Sequence, residues 1–286
     1  FNGSLRSCQE HRLPHEVLSS AEIAERYPAY HLPPRHVALF QPEGGFLMSE
    51  RCIVAHVVAA QAAGAEIRAR ERVVGWQVVG DRVQVQTDRG SYVAERLVIT
   101  TGSWIGDLVP DLATLARPER QVVAWLQPTE PALFSPERFP VFNLTVPEGR
   151  YYGFPAHHVP GFKLGRYHHR GEQVDADTVD REPNAIDEGL LRTFAERYFP
   201  AGAGPAMALR VCLFTNTPDE RFVIDRLPDH SQVVIASACS GHGFKFCSVV
   251  GEILADLTLQ GETAHDIGLF RIDRSAMAVT HSGSGG

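Results

Sequence analysis

Near its C-terminal end the chain carries an apolar strand-like run, Val233-Val234-Ile235-Ala236. It leads through Ser240-Gly241-His242-Gly243-Phe244-Lys245-Phe246 into a segment where Val249, Val250, Ile253, Leu254 and Leu257 recur at three- and four-residue steps. That recurrence predicts a helix with one apolar face. A buried strand turning through glycine into such a helix belongs to a sheet with helices laid on it, so the segment points to α/β layering. The turn also has chemical consequences. Its glycines let a ligand approach the backbone closely, and the free N–H groups at the helix start favour an anion. Lys245 adds a full positive charge. The same residues also suit an ordinary strand–turn–helix with a solvated lysine, and the turn alone leaves both readings open.

The chain has 286 residues, 44% hydrophobic and 21% charged, enough for one large domain or two ordinary ones with substantial cores. A formal net charge of −7 argues against nucleic-acid partners and against a polybasic membrane surface. No apolar run approaches the ~20 residues that span a bilayer, and no basic segment followed by an apolar core opens the chain, so a cytoplasmic protein is expected. The five cysteines, Cys8, Cys52, Cys212, Cys239 and Cys247, form no CxxC pair or zinc-ligand spacing and are read as reduced thiols. The pairs His157-His158 and His168-His169 would point to opposite faces of a strand, so no metal site is expected.

Residues up to about Glu25 read as helix or loop, Ala38 to Gln41 as a short strand, and Gly44-Gly45 as a tight turn. Ile53, Val54, Val57 and Val58 fit a helix from Glu50 to Ala63, closed by Gly64. Strands are expected at Glu66 to Val74, at Val78-Val79 and Val83 to Thr87 around Gly80-Asp81, and at Leu97 to Thr100. The last runs into Thr101-Gly102-Ser103-Trp104, a second place where backbone could press against a ligand. From Arg120 to Leu213, β-branched and aromatic strands alternate with Pro- and Gly-rich turns, as in an antiparallel sheet, with a helix expected at Asp187 to Tyr198. After Pro218 the α/β texture returns. His281 to Gly286 has the composition of a flexible tail or linker.

Two isolated residues invite chemistry. Lys163 lies in the apolar run Gly161-Phe162-Lys163-Leu164-Gly165, where an ammonium group is either sheltered for a purpose or points out from an alternating strand. Cys212, among Val211, Leu213 and Phe214, reads equally as a small buried hydrophobe.

Together, Val211-Cys212-Leu213-Phe214-Thr215, Pro218 to Asp225, Ser240 to Phe246, Tyr151 to Pro155, Phe162 to Gly165 and the Gly102/Trp104 turn resemble the family of monomeric sarcosine oxidases and N-methyltryptophan oxidases. These are flavoenzymes of the glycine/D-amino-acid oxidase superfamily. The resemblance runs from about Glu10 through Arg274. It implies a discontinuous, Rossmann-like FAD-binding domain, residues 47–107 plus 218–273, with a mostly antiparallel substrate domain, residues 1–46 plus 108–217, and a flexible tail at 274–286. It implies that Cys212 carries FAD covalently through a thioether to the 8α-methyl carbon and that Lys163 activates dioxygen. It also implies that Val73, Gly102, Trp104, Gly241, His242, Gly243, Phe244 and Lys245 contact the cofactor. Lys245 would bind the substrate carboxylate, Tyr152 and His168 would line the catalytic pocket, and Phe214 and Asn143 would shape the substrate side. The implied reaction oxidises an N-methyl amino acid with dioxygen to an imine, which hydrolyses to amino acid and formaldehyde, with hydrogen peroxide as the other product.

The chain also departs from that family. The strand–GxGxxG–helix that grips the ADP part of FAD is not among these residues, and Phe1 to Ser4 align about a quarter of the way into the family's chain. An N-terminally incomplete FAD domain is the corresponding expectation, with a complementary N-terminal segment as a partner. Phe214 stands where sarcosine oxidase has tyrosine and Asn143 where it has methionine, while Arg166 looks like a one-residue insertion ahead of His168. Oxidation or dehydrogenation of another amino or imino acid, and a silent fragment serving as a binding module, are the alternatives.

Overall fold

The computed structural model describes residues 1–237 and 239–277. The helices are α1 (Asn2–Glu10), α2 (Ser20–Arg26), α3 (Ser49–Ala62), α4 (Ile105–Leu108), α5 (Ala185–Tyr198) and α6 (Cys247–Leu259). The first six strands are β1 (Glu16–Ser19), β2 (Val37–Phe40), β3 (Val73–Val79), β4 (Arg82–Thr87), β5 (Ser91–Ala94) and β6 (Leu97–Ile99). They are followed by β7 (Arg117–Leu126), β8 (Phe142–Val146), β9 (Gly149–Phe154), β10 (Phe162–Arg166), β11 (Ala206–Asn216), β12 (Val223–Leu227) and β13 (His230–Ser237). They fall into two compact units. One comprises Phe1–Phe46, Arg120–Glu172 and Asp180–Cys212; the other comprises Leu47–Glu119, Gln173–Val179 and the described residues from Leu213 onward.

The first unit is built on a five-stranded sheet in the order β11-β7-β10-β9-β8, with β10 antiparallel to both β7 and β9 and β8 antiparallel to β9. Side chains alternate across the pleat. Val122, Ala124, Leu126, Tyr151, Phe162 and Leu164 turn to one face and are buried against Leu191, Phe194, Ala195 and Tyr198 of α5. Asn184 starts α5: its side chain accepts from the Ile186 and Asp187 amides while the Asp187 carboxylate accepts from the Asn184 amide, a reciprocal cap. The opposite face of the sheet carries the residues discussed below.

The second unit holds a three-stranded sheet ordered β12-β13-β6, with β13 parallel to β6. Val234 and Ala236 face α6, meeting Val250, Ile253, Leu254 and Leu257, while Val233 and Ile235 face Ile99, Ile105 and Leu112. Burial on both faces explains why this strand reads as an unbroken apolar run. A separate antiparallel meander, β3-β4-β5, accompanies it. α3 ends at Gly64 in the left-handed region (φ 93°), as the sequence indicates, yet none of its residues is buried: Ile53, Val54 and Val58 are 52%, 60% and 58% exposed.

Several expectations need correction. Residues 66–72 form no strand, because Arg70 adopts φ 57° and breaks the extended run before β3 begins at Val73. The stretch expected to be helix or loop contains β1, which pairs with β2 from Glu16↔Phe40 to Ser19↔Val37. Ser91–Ala94 adds an unexpected third strand to the hairpin. In the tail expected from 274, Arg274 bonds Asp219 at 2.8 Å and Met277 is 4% exposed, so those residues are packed; residues 278–286, including His281 to Gly286, lie outside the described residues.

Candidate functional site

Directly opposed residues on antiparallel strands share a face. Lys163 on β10 opposes Trp125 on β7 and Phe154 on β9, while Gly165 opposes Tyr152, which in turn opposes Asn143 on β8. All therefore stand on the sheet face away from α5. On β11, Leu209 and Val211 pack against the core, so the alternation sends Cys212 to that same outer face. Four residues distant in sequence, Asn143, Tyr152, Lys163 and Cys212, are thus brought to one surface by strand register alone.

The Lys163 ammonium lies 4.9 Å from the Trp125 ring centroid and 5.2 Å from that of Phe154, so its half-buried charge rests between two π faces. Tyr152 lies over Gly165, where a Cβ would fall 2.5 Å from its ring, and its phenol is held above the ordinary tyrosine range by burial, with Cys212 and Tyr167 adding to the effect. It remains a neutral hydrogen-bond donor at any physiological pH. Burial also raises the Cys212 thiol, and the positive charges of Lys163 and Arg181 oppose that rise. Asn143 is not loose: its Oδ1 accepts from Arg150 Nε at 2.8 Å, and the Arg150 guanidinium covers the Tyr167 ring at 4.5 Å.

His168 lies beyond the end of β10, in the left-handed region at φ 52°. Tyr167, just before it, has its ring 5.1 Å from that of Tyr152. The following residue, His169, is fully buried with Nε2 3.0 Å from Asp187, and Asp187 receives two hydrogen bonds from Arg120 at 2.9 and 3.0 Å. Trp125, Tyr167 and Arg150 escaped sequence reading; the first is recoverable once Lys163 is paired in register with β7.

In the second unit Ser240 and Gly241 adopt φ 49° and 74°, and a Cβ on Gly241 would fall 2.5 Å from the Phe214 ring. Only glycine admits that contact. His242 Nδ1 is 2.8 Å from the Ser240 carbonyl, and Lys245 Nζ donates to the His242 carbonyl at 3.1 Å with Phe246 4.9 Å away. Gly243 leads into a single 3-10 turn, Phe244–Phe246, which runs on into α6, and both phenylalanines are 38% exposed. The other expected cofactor turn is similarly special. Gly102 sits at φ 56°, and Trp104 Nε1 donates to Asp177 at 2.7 Å while the indole forms one wall of a cavity of about 440 Å³. Val73, at the start of β3, is 36% exposed and pairs with Thr87.

Residues 2–257 match the family described as FAD dependent oxidoreductase. The chain belongs to that family. A monomeric sarcosine oxidase of Bacillus sp. (strain B-0618) is 41% identical over 278 residues, 96% of this chain and 71% of that protein. An N-methyl-L-tryptophan oxidase of Yersinia pestis (strain Pestoides F) is 33% identical over 272 residues, 94% of this chain and 72% of that protein. Two solved structures share the fold of this family. NikD, an amino acid oxidase of nikkomycin biosynthesis, superposes with a TM-score of 0.77 at 22% identity, covering 94% of this chain and 71% of NikD. The L-proline dehydrogenase of P. horikoshii superposes at 0.79 and 20%, covering 92% of this chain and 69% of its own.

The residues present suit the cofactor of such a family. Thr101 Oγ1, beside the left-handed Gly102, is buried and bonds to no other described residue, an acceptor or donor suited to a polar ligand. Added Cβ atoms at Gly102 would meet open space within 4 Å, so the backbone there is accessible. Among the described residues no group of three or more histidine, cysteine, aspartate or glutamate side chains is arranged to hold a metal ion, and no helix is long and apolar enough to cross a membrane.

Proposed function

We propose that this chain oxidises the secondary amine of an N-methyl amino acid such as sarcosine, using FAD tethered through Cys212, and yields the amino acid, formaldehyde and hydrogen peroxide. The observation that carries the reading is the shared face of Tyr152, Lys163 and Cys212, set beside the 41% identity to a monomeric sarcosine oxidase. In this reading the α/β unit binds FAD and the sheet unit binds substrate.

When bound, FAD supplies a two-electron acceptor for the substrate carbon–hydrogen bond and passes those electrons to dioxygen. The Lys163 ammonium, held between the Trp125 and Phe154 rings, supplies a fixed positive charge where oxygen gathers negative charge. Tyr152, held protonated by burial, donates a hydrogen bond toward the amine side of the substrate. Lys245, at the glycine-bearing turn before α6, offers its charge to the substrate carboxylate. Val73, Gly102, Trp104, Gly241, His242, Gly243 and Phe244 contact the cofactor in the same reading. Asn143, Phe214 and His168 set which side chain is accepted.

The test is to purify the chain with FAD and measure hydrogen peroxide and formaldehyde from sarcosine, N-methyltryptophan and L-proline. Equal yields of peroxide and formaldehyde from an N-methyl amino acid are expected. Peroxide from L-proline alone, or no turnover by flavin-loaded protein, would sink this assignment.

A further inference from the structure

We infer that Thr215 is a positioning residue whose buried hydroxyl and carbonyl lock the Gly102–Trp104 turn and the Ser240–Lys245 turn to the end of β11. Thr215 is 2% exposed and lies three residues past Cys212 on β11. Its Oγ1 is 2.8 Å from Ser103 Oγ, the middle residue of the first turn. Its carbonyl accepts from the Ser240 amide at 2.8 Å, the first residue of the second. Ser240 is itself 7% exposed, and its hydroxyl stands 3.4 Å from the Thr217 amide and 3.5 Å from the Thr215 carbonyl.

This clasp has a physical purpose in the fold. Ser240 and Gly241 occupy the left-handed region, which is strained for the non-glycine Ser240, so the turn needs outside bonds to persist. Two of those bonds end on Thr215. The Phe214 ring against Gly241 closes the same contact from the neighbouring position. The Thr215 hydroxyl thus holds the first turn while also meeting the Cys239 thiol, and its carbonyl holds the Ser240 amide of the second. The inference rests on the proposed function for the identity of the ligand these turns present to, which is the flavin, but the clasp itself is a property of the protein alone.

Thr215→Val keeps the shape and the carbonyl and removes the hydroxyl's contacts with Ser103 and the Cys239 thiol, whereas Thr215→Ser retains the hydroxyl. In flavin-free protein, amide exchange at residues 102–105 is expected to rise at least about tenfold in Thr215→Val, with residues 240–245 and the melting temperature unchanged, and Thr215→Ser is expected to restore protection. FAD affinity, measured by titration, should weaken about tenfold in Thr215→Val and stay near the parent value in Thr215→Ser. Unchanged exchange at 102–105, or a uniform rise across the whole unit, would overturn the positioning role. If the clasp responds as expected while no variant binds FAD, the functional assignment fails and the clasp stands.

Discussion

Lys163 faces Trp125 directly across the β10–β7 ladder, its ammonium 4.9 Å from the indole ring, and Phe154 flanks it from β9 at 5.2 Å. A lysine in an apolar strand thereby has its charge held against two aromatic rings. Replacing it with methionine retains bulk and apolar packing while deleting the charge. The reductive half-reaction of Lys163→Met, followed anaerobically, should stay within about threefold of the parent, whereas reoxidation by dioxygen should slow by roughly a hundredfold or more. Equal loss in both half-reactions would show that Lys163 serves binding or folding and not oxygen chemistry.

The contact between Phe214 and Gly241 makes a separable prediction. Gly241→Ala introduces both left-handed strain and a Cβ 2.5 Å from the Phe214 ring, so it should destabilise the unit by about 3 kcal/mol. Phe214→Ala removes the obstructing ring, and in that background Gly241→Ala should cost only the backbone strain of about 1–2 kcal/mol. Denaturant unfolding of the four proteins measures the coupling. Strict additivity would mean that the ring and the turn are independent.

How far the sequence disclosed this arrangement depended on whether the deciding force was local. The end of α3 at Gly64, the unbroken apolar run of β13 and the helical spacing of α6 were legible because one residue type or one period sets them. The candidate site residues on β8, β9, β10 and β11 were named by resemblance, and their common face follows from cross-strand register, which no single segment encodes. Trp125 was missed for that reason. Tyr167, which precedes His168 and stands beside Tyr152, carries no local sequence signal of its own. The strand expected at 66–74 failed on Arg70, whose φ of 57° propensity does not foresee.

The buried Arg120–Asp187–His169 cluster fixes the acid stability of the sheet unit. Burial by itself would raise the Asp187 carboxyl, but the Arg120 hydrogen bonds, the Asn184 amide and His169 outweigh it and hold the carboxyl at about 2. A folded pKa below the unfolded one gives stability that is present above the unfolded value and is lost as pH falls through the folded value. About 2 kcal/mol should therefore disappear between pH ~4 and pH ~2. His169 is held below its usual range, chiefly by burial, so acidification below about pH 6.5 already begins to favour the unfolded chain. Melting temperatures of the parent and of Asp187→Asn between pH 7 and pH 2 test this. The variant starts lower, with buried Arg120 left only the more distant Glu172 carboxylate at 3.8 Å, and should lack the loss between pH 4 and pH 2. Parallel curves in that interval would assign the acid sensitivity elsewhere.

Cys212 and Cys239 pose the sharpest choice about the flavin tether, since both are half-buried thiols raised by burial. They differ in what opposes that rise. At Cys212 it is the charge of Lys163 and Arg181, which favours a thiolate and so a nucleophile; at Cys239 it is hydrogen bonding from hydroxyls. A serine at 212 keeps nearly the volume and loses the sulfur, whose anion forms far more readily than an alkoxide. Acid precipitation of flavin-loaded protein should therefore leave yellow colour in the parent pellet and in Cys239→Ser, and release it to the supernatant in Cys212→Ser with the melting temperature of the flavin-free protein shifted by no more than a few degrees. Colour retained by Cys212→Ser and lost from Cys239→Ser would move the tether to the other thiol. Colour lost from the parent itself would mean that any flavin is held without a covalent bond.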